Sequence, residues 1–171
     1  MIAIATETPA AVLALAGQPS AGYRGAPPRL SAITWGAEDL AACLGAKNRR
    51  PDGTYDDVYR VTRSLCLLAA AAAGIAPIDT IFTDFKDGAG LAAECAAARR
   101  AGFIAKMAIH PAQISIINEA FSVSDAELDW ARKVVAAFDD NPDAGTVAID
   151  GKMVDKPHLT LAQRLLGRSP A

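Results

Sequence analysis

The chain has 171 residues, 51% of them apolar and 21% charged, with a net charge of -2; it is long enough for one domain with a sizeable core and falls outside the disordered class. Its Arg and Lys residues are scattered, so no basic field exists for nucleic acid or anionic lipid, and neither partner is expected. The apolar start Met1-Ile2-Ala3-Ile4-Ala5 lacks a basic n-region and meets Glu7 too soon for a signal peptide, and no uncharged run is long enough to span a bilayer. A cytoplasmic location is expected.

Short apolar runs alternate with longer helical patterns, the sequence sign of parallel strands joined by covering helices. Strands are predicted at Ile2 to Thr6, Ala32 to Trp35, Ile78 to Thr83 and Ile104 to Ile109. Thr8-Pro9 reads as a helix start with Thr at the N-cap and Pro at N1. A helix carrying Leu40 and Leu44 follows the second strand, with Asp39 or Glu38 as its N-cap. Val58, Val61, Leu65, Leu68 and Ala72 recur at three and four residues and predict one inward stripe on a helix ending near Gly74. Leu91, Cys95 and Ala98 do the same before Gly102, where Asp87 reads as a cap and Asp84 has no assigned role. After the fourth strand, Ile114 and Ile117 are expected to face inward.

Ser124 and Glu127 form a capping box, and Val123 with Leu128 a hydrophobic staple, at the start of a helix burying Leu128, Ala131, Val135 and Phe138 and stopping before Pro142. A last helix begins around Pro157 and runs through Leu159, Ala162 and Leu166. The whole chain reads as a single domain in which residues from about 143 to 171 form a C-terminal helical appendage. Gly17 to Arg29 and Lys47 to Asp56 read as surface loops. Cys43, Cys66 and Cys95 have no C-x-x-C partner and are expected as small buried core residues without chemistry.

Four strand-helix units are half of an eight-stranded TIM barrel, which needs about 250 residues. Half a barrel leaves two sheet edges unpaired and one sheet face without its opposite wall. The expected fold is therefore α/β, a partial TIM barrel, either truncated or completed by a partner. Self-pairing into a homo-oligomer, or pairing with a polypeptide supplying the N-terminal half, is expected.

Several residues stand where chemistry is done in such a fold. Glu7 lies at a strand end, where a carboxylate reaches the barrel mouth, although a Glu in a first helical turn is also favoured by the macrodipole. Two carboxylates at neighbouring strand ends, Glu7 and Asp39, would make a hard oxygen site suited to Mg²⁺. Asp155 precedes Lys156-Pro157 and a helix, where its plain role is an N-cap. His110, followed by Pro111, sits at another strand end; a lone His is more often structural, and with only His158 besides, zinc is not expected. No G-x-G-x-x-G, Walker loop or G-x-S-x-G occurs.

Four motifs in order, Glu7-Thr8-Pro9, Trp35-Gly36-Ala37-Glu38-Asp39-Leu40, Ile109-His110-Pro111-Ala112-Gln113 and Gly151-Lys152-Met153-Val154-Asp155-Lys156-Pro157-His158, make nearly the whole chain resemble the C-terminal half of the CitE-like enzymes. These are the citrate lyase beta subunits and the malyl-CoA and citramalyl-CoA lyases within the HpcH/HpaI aldolase superfamily. The resemblance implies that Glu7 and Asp39 are the Mg²⁺ ligands, with Trp35 in place of the usual Phe, a change expected to matter little. It implies Asp155 as the catalytic acid/base, delivered to a neighbouring subunit's mouth with burial raising its pKa. It also places Ile109, His110 and Pro111 beside CoA. The implied reaction is reversible carbon-carbon cleavage of a malyl-, citramalyl- or citryl-type thioester to acetyl-CoA, or an acetate-type product, and a 2-oxoacid. A family Arg on an early strand has no counterpart among these motifs. A class II pyruvate-type aldolase of the same superfamily, and an inactive or regulatory half-barrel, are the alternative readings.

Overall fold

The computed structural model describes residues 1–17 and 29–167; the predicted loop between Gly17 and Arg29 therefore lies almost wholly outside the described residues. The chain divides into two compact units, Met1–Phe121 and Ser122–Ala171.

The first unit is built on a four-stranded sheet in the order β1 (Ile2–Ile4), β2 (Ala32–Thr34), β3 (Ala76–Asp79) and β4 (Ala105–Lys106). Every pairing is parallel, so each connection must cross over, and helices α1 (Pro9–Gly17), α2 (Ala37–Leu44), α3 (Asp57–Ala73) and α4 (Gly88–Ala101) lie in the connections. Beyond β4 come a 3-10 turn, Pro111–Gln113, and α5 (Ile114–Phe121). In-register residues of a parallel sheet share a face. Ile4, Thr34, Ile78 and Ala105 therefore share one, and Ile33 and Pro77 share the other. Ile33 is fully buried in a core with Leu40, Cys66, Leu91 and Cys95, whereas Ile2 and Ile4 on the first face are half exposed. The uncovered face and the two edge strands are what a half-barrel predicts.

All four strands exist, but each is shorter than the apolar run that signals it. The third is also displaced: the ladder begins at Ala76 and ends at Asp79, so Thr80 to Thr83 leave the sheet. Pro77 lacks an N–H to donate, yet its carbonyl still accepts from Ile104 N at 3.1 Å, which is why a proline is tolerated inside a strand here.

The stripe predicted on α3 is inverted. The buried residues are Tyr59, Thr62, Cys66 and Ala70, while Val58, Val61 and Leu68 are 48%, 57% and 65% exposed. An Ala-rich helix offers two apolar stripes, and the one turned inward carries Tyr59 at the first turn and the smaller Thr62, Cys66 and Ala70 after it. Leu91, Cys95 and Ala98 of α4 face inward as predicted. On α5, Ile117 is buried but Ile114, the first residue of the helix, is half exposed, contrary to its expected inward position. Gly74 and Gly102 end α3 and α4 with φ of 67° and 112°, positions that L side chains rarely adopt. Cys66 and Cys95 are fully buried, but Cys43 is exposed, contrary to its expected core position; its thiol turns to the Glu7 backbone carbonyl instead.

The second unit contains α6 (Asp125–Asp139), an antiparallel pair β5 (Thr146–Ile149) and β6 (Lys152–Asp155), and α7 (Lys156–Leu166). The capping box is present, with Ser124 Oγ accepting from Glu127 N and Ser124 N donating to Glu127 Oε2. Phe138, Ala131 and Val134 form a small core with Val154 and Ala162; Val134 takes the fully buried place predicted for Val135, which is only partly buried. The hairpin is absent from the sequence reading. Its signal was Asp150-Gly151, at φ of 50° and 75°, the two left-handed residues of a tight hairpin turn.

Candidate active site

β1 and β2 both end at the same edge of the sheet, and the two predicted metal ligands follow them. Thr8 caps α1, its Oγ1 accepting from Ala11 N at 3.2 Å. Gly36, rather than Asp39 or Glu38, is the N-cap of α2, which puts both acids in the first helical turn. A methyl group on Gly36 would lie 3.5 Å from Asp39 Oδ2, 3.5 Å from Glu7 Cγ and 3.2 Å from Ile4 Cγ2. The two acidic side chains thus flank one backbone position, where an added Cβ would sit in van der Waals contact with both and press on Ile4. The Gly36 amide is fixed from below, donating to the buried Thr6 Oγ1 at 3.0 Å. Cys43 Sγ reaches the Glu7 carbonyl at 3.5 Å, which pins the Glu7 backbone from the α2 side.

Both carboxylates are exposed, and no hydrogen bond or ion pair engages either of them among the described residues. Two uncompensated hard oxygen donors beside an open space suit a divalent cation that keeps waters and shares its other positions with substrate oxygens. No group of three or more His, Cys, Asp or Glu residues able to hold a metal is found among the described residues, so a soft or all-protein cage does not fit. A cavity of about 80 Å³ adjoins Asp39, lined also by Ile4, Thr34, Gly36, Thr80 and Met107 among others; Glu7 is not part of its lining.

His110 caps the 3-10 turn through Nδ1, which accepts from Ala112 N at 3.1 Å, and its ring stacks on Phe85 at 4.7 Å. Ile109, His110 and Pro111 are all exposed. The buried Gln113 ties this loop to the one after β3: its Nε2 donates to Phe82 O at 2.8 Å, and its Oε1 accepts from Ile109 N at 2.9 Å. That explains the Gln of the motif as a brace.

Asp155 is the N-cap of α7. Its Oδ1 accepts from His158 N at 3.4 Å and lies 2.5 Å from His158 Nδ1. The His158 hydrogen bond holds this half-buried carboxyl below the usual carboxylate range, the opposite of the upward shift that burial would cause.

A charged cluster on the helix-covered face of the sheet went unrecognised in the sequence. Asp79 ends β3 and is 3% exposed. It is gripped by Arg63 through two contacts of 2.9 and 3.2 Å, by Lys106 Nζ at 3.3 Å and by Trp35 Nε1 at 2.7 Å. Lys106 also meets Glu94 at 3.1 Å, and Glu94 pairs with Arg49 at 2.6 Å. Burial pushes the Asp79 carboxyl up, but Arg63, Lys106 and Trp35 together hold it below the usual range. The legible signal was a charge inside each of two buried strands, which demands a partner. The replacement of Phe by Trp at position 35 is therefore not neutral, since only the indole brings an N–H to Asp79.

Comparison with known proteins identifies the family. The family model described as C-C_Bond_Lyase of the TIM-barrel fold matches residues 26–171. A citrate lyase subunit beta-like protein of Mycobacterium tuberculosis is 44% identical over 138 residues, 80% of this chain and 50% of its own. The (3S)-malyl-CoA thioesterase of Cereibacter sphaeroides is 40% identical over 91% of this chain and 54% of its own. The human mitochondrial citramalyl-CoA lyase is 37% identical over 78% of this chain and 39% of its own length. The crystal structure of CitE from Mycobacterium tuberculosis, in complex with magnesium, acetoacetate and coenzyme A, superposes with a TM-score of 0.70 at 42% identity, covering 85% of this chain and 54% of that one. The chain spans about half the length, or less, of the relatives it matches. Its parallel strands, the placement of its motifs and these similarities agree, and the chain belongs to the C-C bond lyase family of the TIM-barrel fold.

Proposed function

We propose that this chain carries the metal and acid/base residues of a Mg²⁺-dependent lyase that cleaves 3-hydroxyacyl-CoA thioesters of the malyl, citramalyl or citryl type to acetyl-CoA, or an acetate-type product, and a 2-oxoacid. The observation that carries the reading is the pair of unpaired carboxylates, Glu7 and Asp39, flanking Gly36 at the ends of adjacent strands. The relatives named for malyl-CoA and citramalyl-CoA, and the related structure holding magnesium, acetoacetate and coenzyme A, support the substrate class.

A magnesium ion bound here supplies Lewis-acid polarisation of the oxoacid oxygens. Glu7 and Asp39 hold and orient it, and Gly36 leaves room for it. The loop Ile109-His110-Pro111, stiffened by Gln113, lies against the CoA moiety. Asp155, in the segment from about 143 to 171 that reads as an appendage, moves the proton at the carbon beside the thioester, acting over the mouth of a neighbouring subunit. The open sheet edges and the half-exposed Ile2 and Ile4 support completion of the barrel, by a second copy or by a polypeptide supplying four further strands.

The test is incubation of the chain, alone and with such a polypeptide, with malyl-CoA and citramalyl-CoA with and without Mg²⁺. Release of acetyl-CoA with equimolar glyoxylate or pyruvate is the expected result. Free CoA without a 2-oxoacid would instead mark a thioesterase, the activity named for the Cereibacter relative. Cleavage of free hydroxy-oxoacids would mark a pyruvate-type aldolase.

A further inference from the structure

Asp155 and His158 make contacts that an ordinary helix cap does not require. Within the capping box, His158 Nδ1 is placed to accept from Asp155 N at 3.3 Å, and the same atom lies 2.5 Å from Asp155 Oδ1. One nitrogen cannot serve both contacts in one protonation state. A bare Nδ1 accepts the backbone N–H but then faces a carboxylate oxygen lone pair to lone pair; a protonated Nδ1 donates to Oδ1 and releases the backbone amide. The shorter contact decides, because two acceptors at that separation repel unless a proton lies between them. Both bonds from His158 end on Oδ1, and Oδ2 has no partner among the described residues.

We propose that His158 is a positioning residue for Asp155: its ring proton sits on Nδ1 and is donated to Oδ1, which fixes the carboxylate and reserves Oδ2 as the proton-transferring atom. The inference rests on the lyase reading for what Oδ2 does. In the condensing direction Oδ2 takes a proton from the methyl carbon of acetyl-CoA, leaving the C–H electron pair in the enolate. In cleavage the same proton returns from Oδ2 to that carbon. His158 neither gains nor loses a proton in either step.

Among the described residues, no other charged side chain bonds this carboxyl. Its downward shift comes from the His158 side-chain hydrogen bond first, with the backbone amides and the His158 charge adding to it, while burial acts in the opposite direction. On the neighbouring elements, Lys156 sits over the Phe138 ring, Lys133 of α6 is paired with Asp150, and Arg132 of α6 with Asp129.

The test is the ¹⁵N spectrum of the His158 ring in the full chain at neutral pH, in the wild type and in Asp155→Asn. The expected result is a protonated Nδ1 in the wild type whose shift changes in the variant. A bare Nδ1 insensitive to Asp155→Asn would overturn the proposal and leave His158 as a plain cap. The ¹³C titration of the Asp155 carboxyl gives the second measurement. It should move up toward the ordinary range in His158→Leu and return part of the way in His158→Asn, whose side-chain N–H can occupy the place of Nδ1–H. Equal titration in all three would also overturn the proposal. The two readings fail separately: a protonated, coupled Nδ1 in a complete enzyme that cleaves no thioester would sink the lyase reading alone, and a bare Nδ1 in an active enzyme would sink only this one.

Discussion

Trp35 donates its indole N–H to Asp79 Oδ1 at 2.7 Å, inside the core and across two neighbouring strands. The bond links the motif that carries Asp39 to the buried charge that joins β3, β4, α3 and α4. The residue next to the candidate metal site is thereby anchored to the framework beneath it.

Replacing Trp35 with Phe removes this bond while Arg63 and Lys106 still hold Asp79. A hydrogen bond to a charged group contributes about 1.5–3 kcal/mol, and the remaining partners put the expected loss near the lower end. Chemical denaturation of the two proteins measures it. An unchanged midpoint would mean that the indole contact contributes nothing.

Asp79→Asn is expected to be far more damaging. It leaves Arg63 and the buried Lys106 without their main counter-charge, and breaking such a buried pair costs about 3–5 kcal/mol. The same carboxylate gives a pH dependence. Its folded pKa is depressed, so its contribution is fully present above the unfolded value of about 3.9 and is lost as pH falls through the lower folded value. Wild-type stability should fall on acidification through that window, and a Lys106→Met, Asp79→Leu double variant should show a flatter profile.

Glu7→Gln and Asp39→Asn should each weaken Mg²⁺ binding at least about tenfold, equivalent to about 1.4 kcal/mol, without loss of stability. Neither carboxylate has a partner among the described residues, and removing one charge relieves repulsion between the two. Gly36→Ala should also weaken binding, because the added methyl presses on Ile4 and comes to 3.5 Å from both acidic side chains. Titration calorimetry with Mg²⁺ or Mn²⁺ tests all three. Unaltered affinity in the first two would remove these residues from the site.

For Asp155 the two roles separate by choice of substitution. Asn is as good an N-cap as Asp, and Ala is not. Asp155→Asn should therefore abolish turnover of a complete enzyme while leaving thermal stability and metal affinity nearly unchanged, whereas Asp155→Ala should in addition cost about 1 kcal/mol. Turnover that follows stability in both variants would assign the residue to capping alone.

Light scattering on the isolated chain should give a mass above the 17.7 kDa of one copy. Ile2 and Ile4 are 53% and 50% exposed on the face that a barrel would enclose, and Ile4→Glu should return the mass to that of a monomer. A monomer at every concentration would show that the uncovered face drives no association.

The sequence by itself determined the order of strands and helices and the helix caps at Thr8, Asp87 and Ser124, and it set Glu7 and Asp39 each within its own short motif. Those features are local: a cap is read from residues three apart, and a motif from residues in one loop. The tertiary structure decided the rest. Which of two apolar stripes on α3 turns inward depends on the size of the residues that the sheet face accepts, and periodicity cannot rank them. The N-cap of α2 moved to Gly36 because β2 ends at Thr34 and the chain must turn before either acid. Asp79, Arg63, Lys106, Glu94 and Arg49 come from four elements and a loop and have no spacing in common; their charges are tolerable only because the fold brings them together. The Asp155–His158 contact lies between these cases. Its spacing of three residues was legible as a helix start, but only the distance between Nδ1 and Oδ1 requires a proton between them.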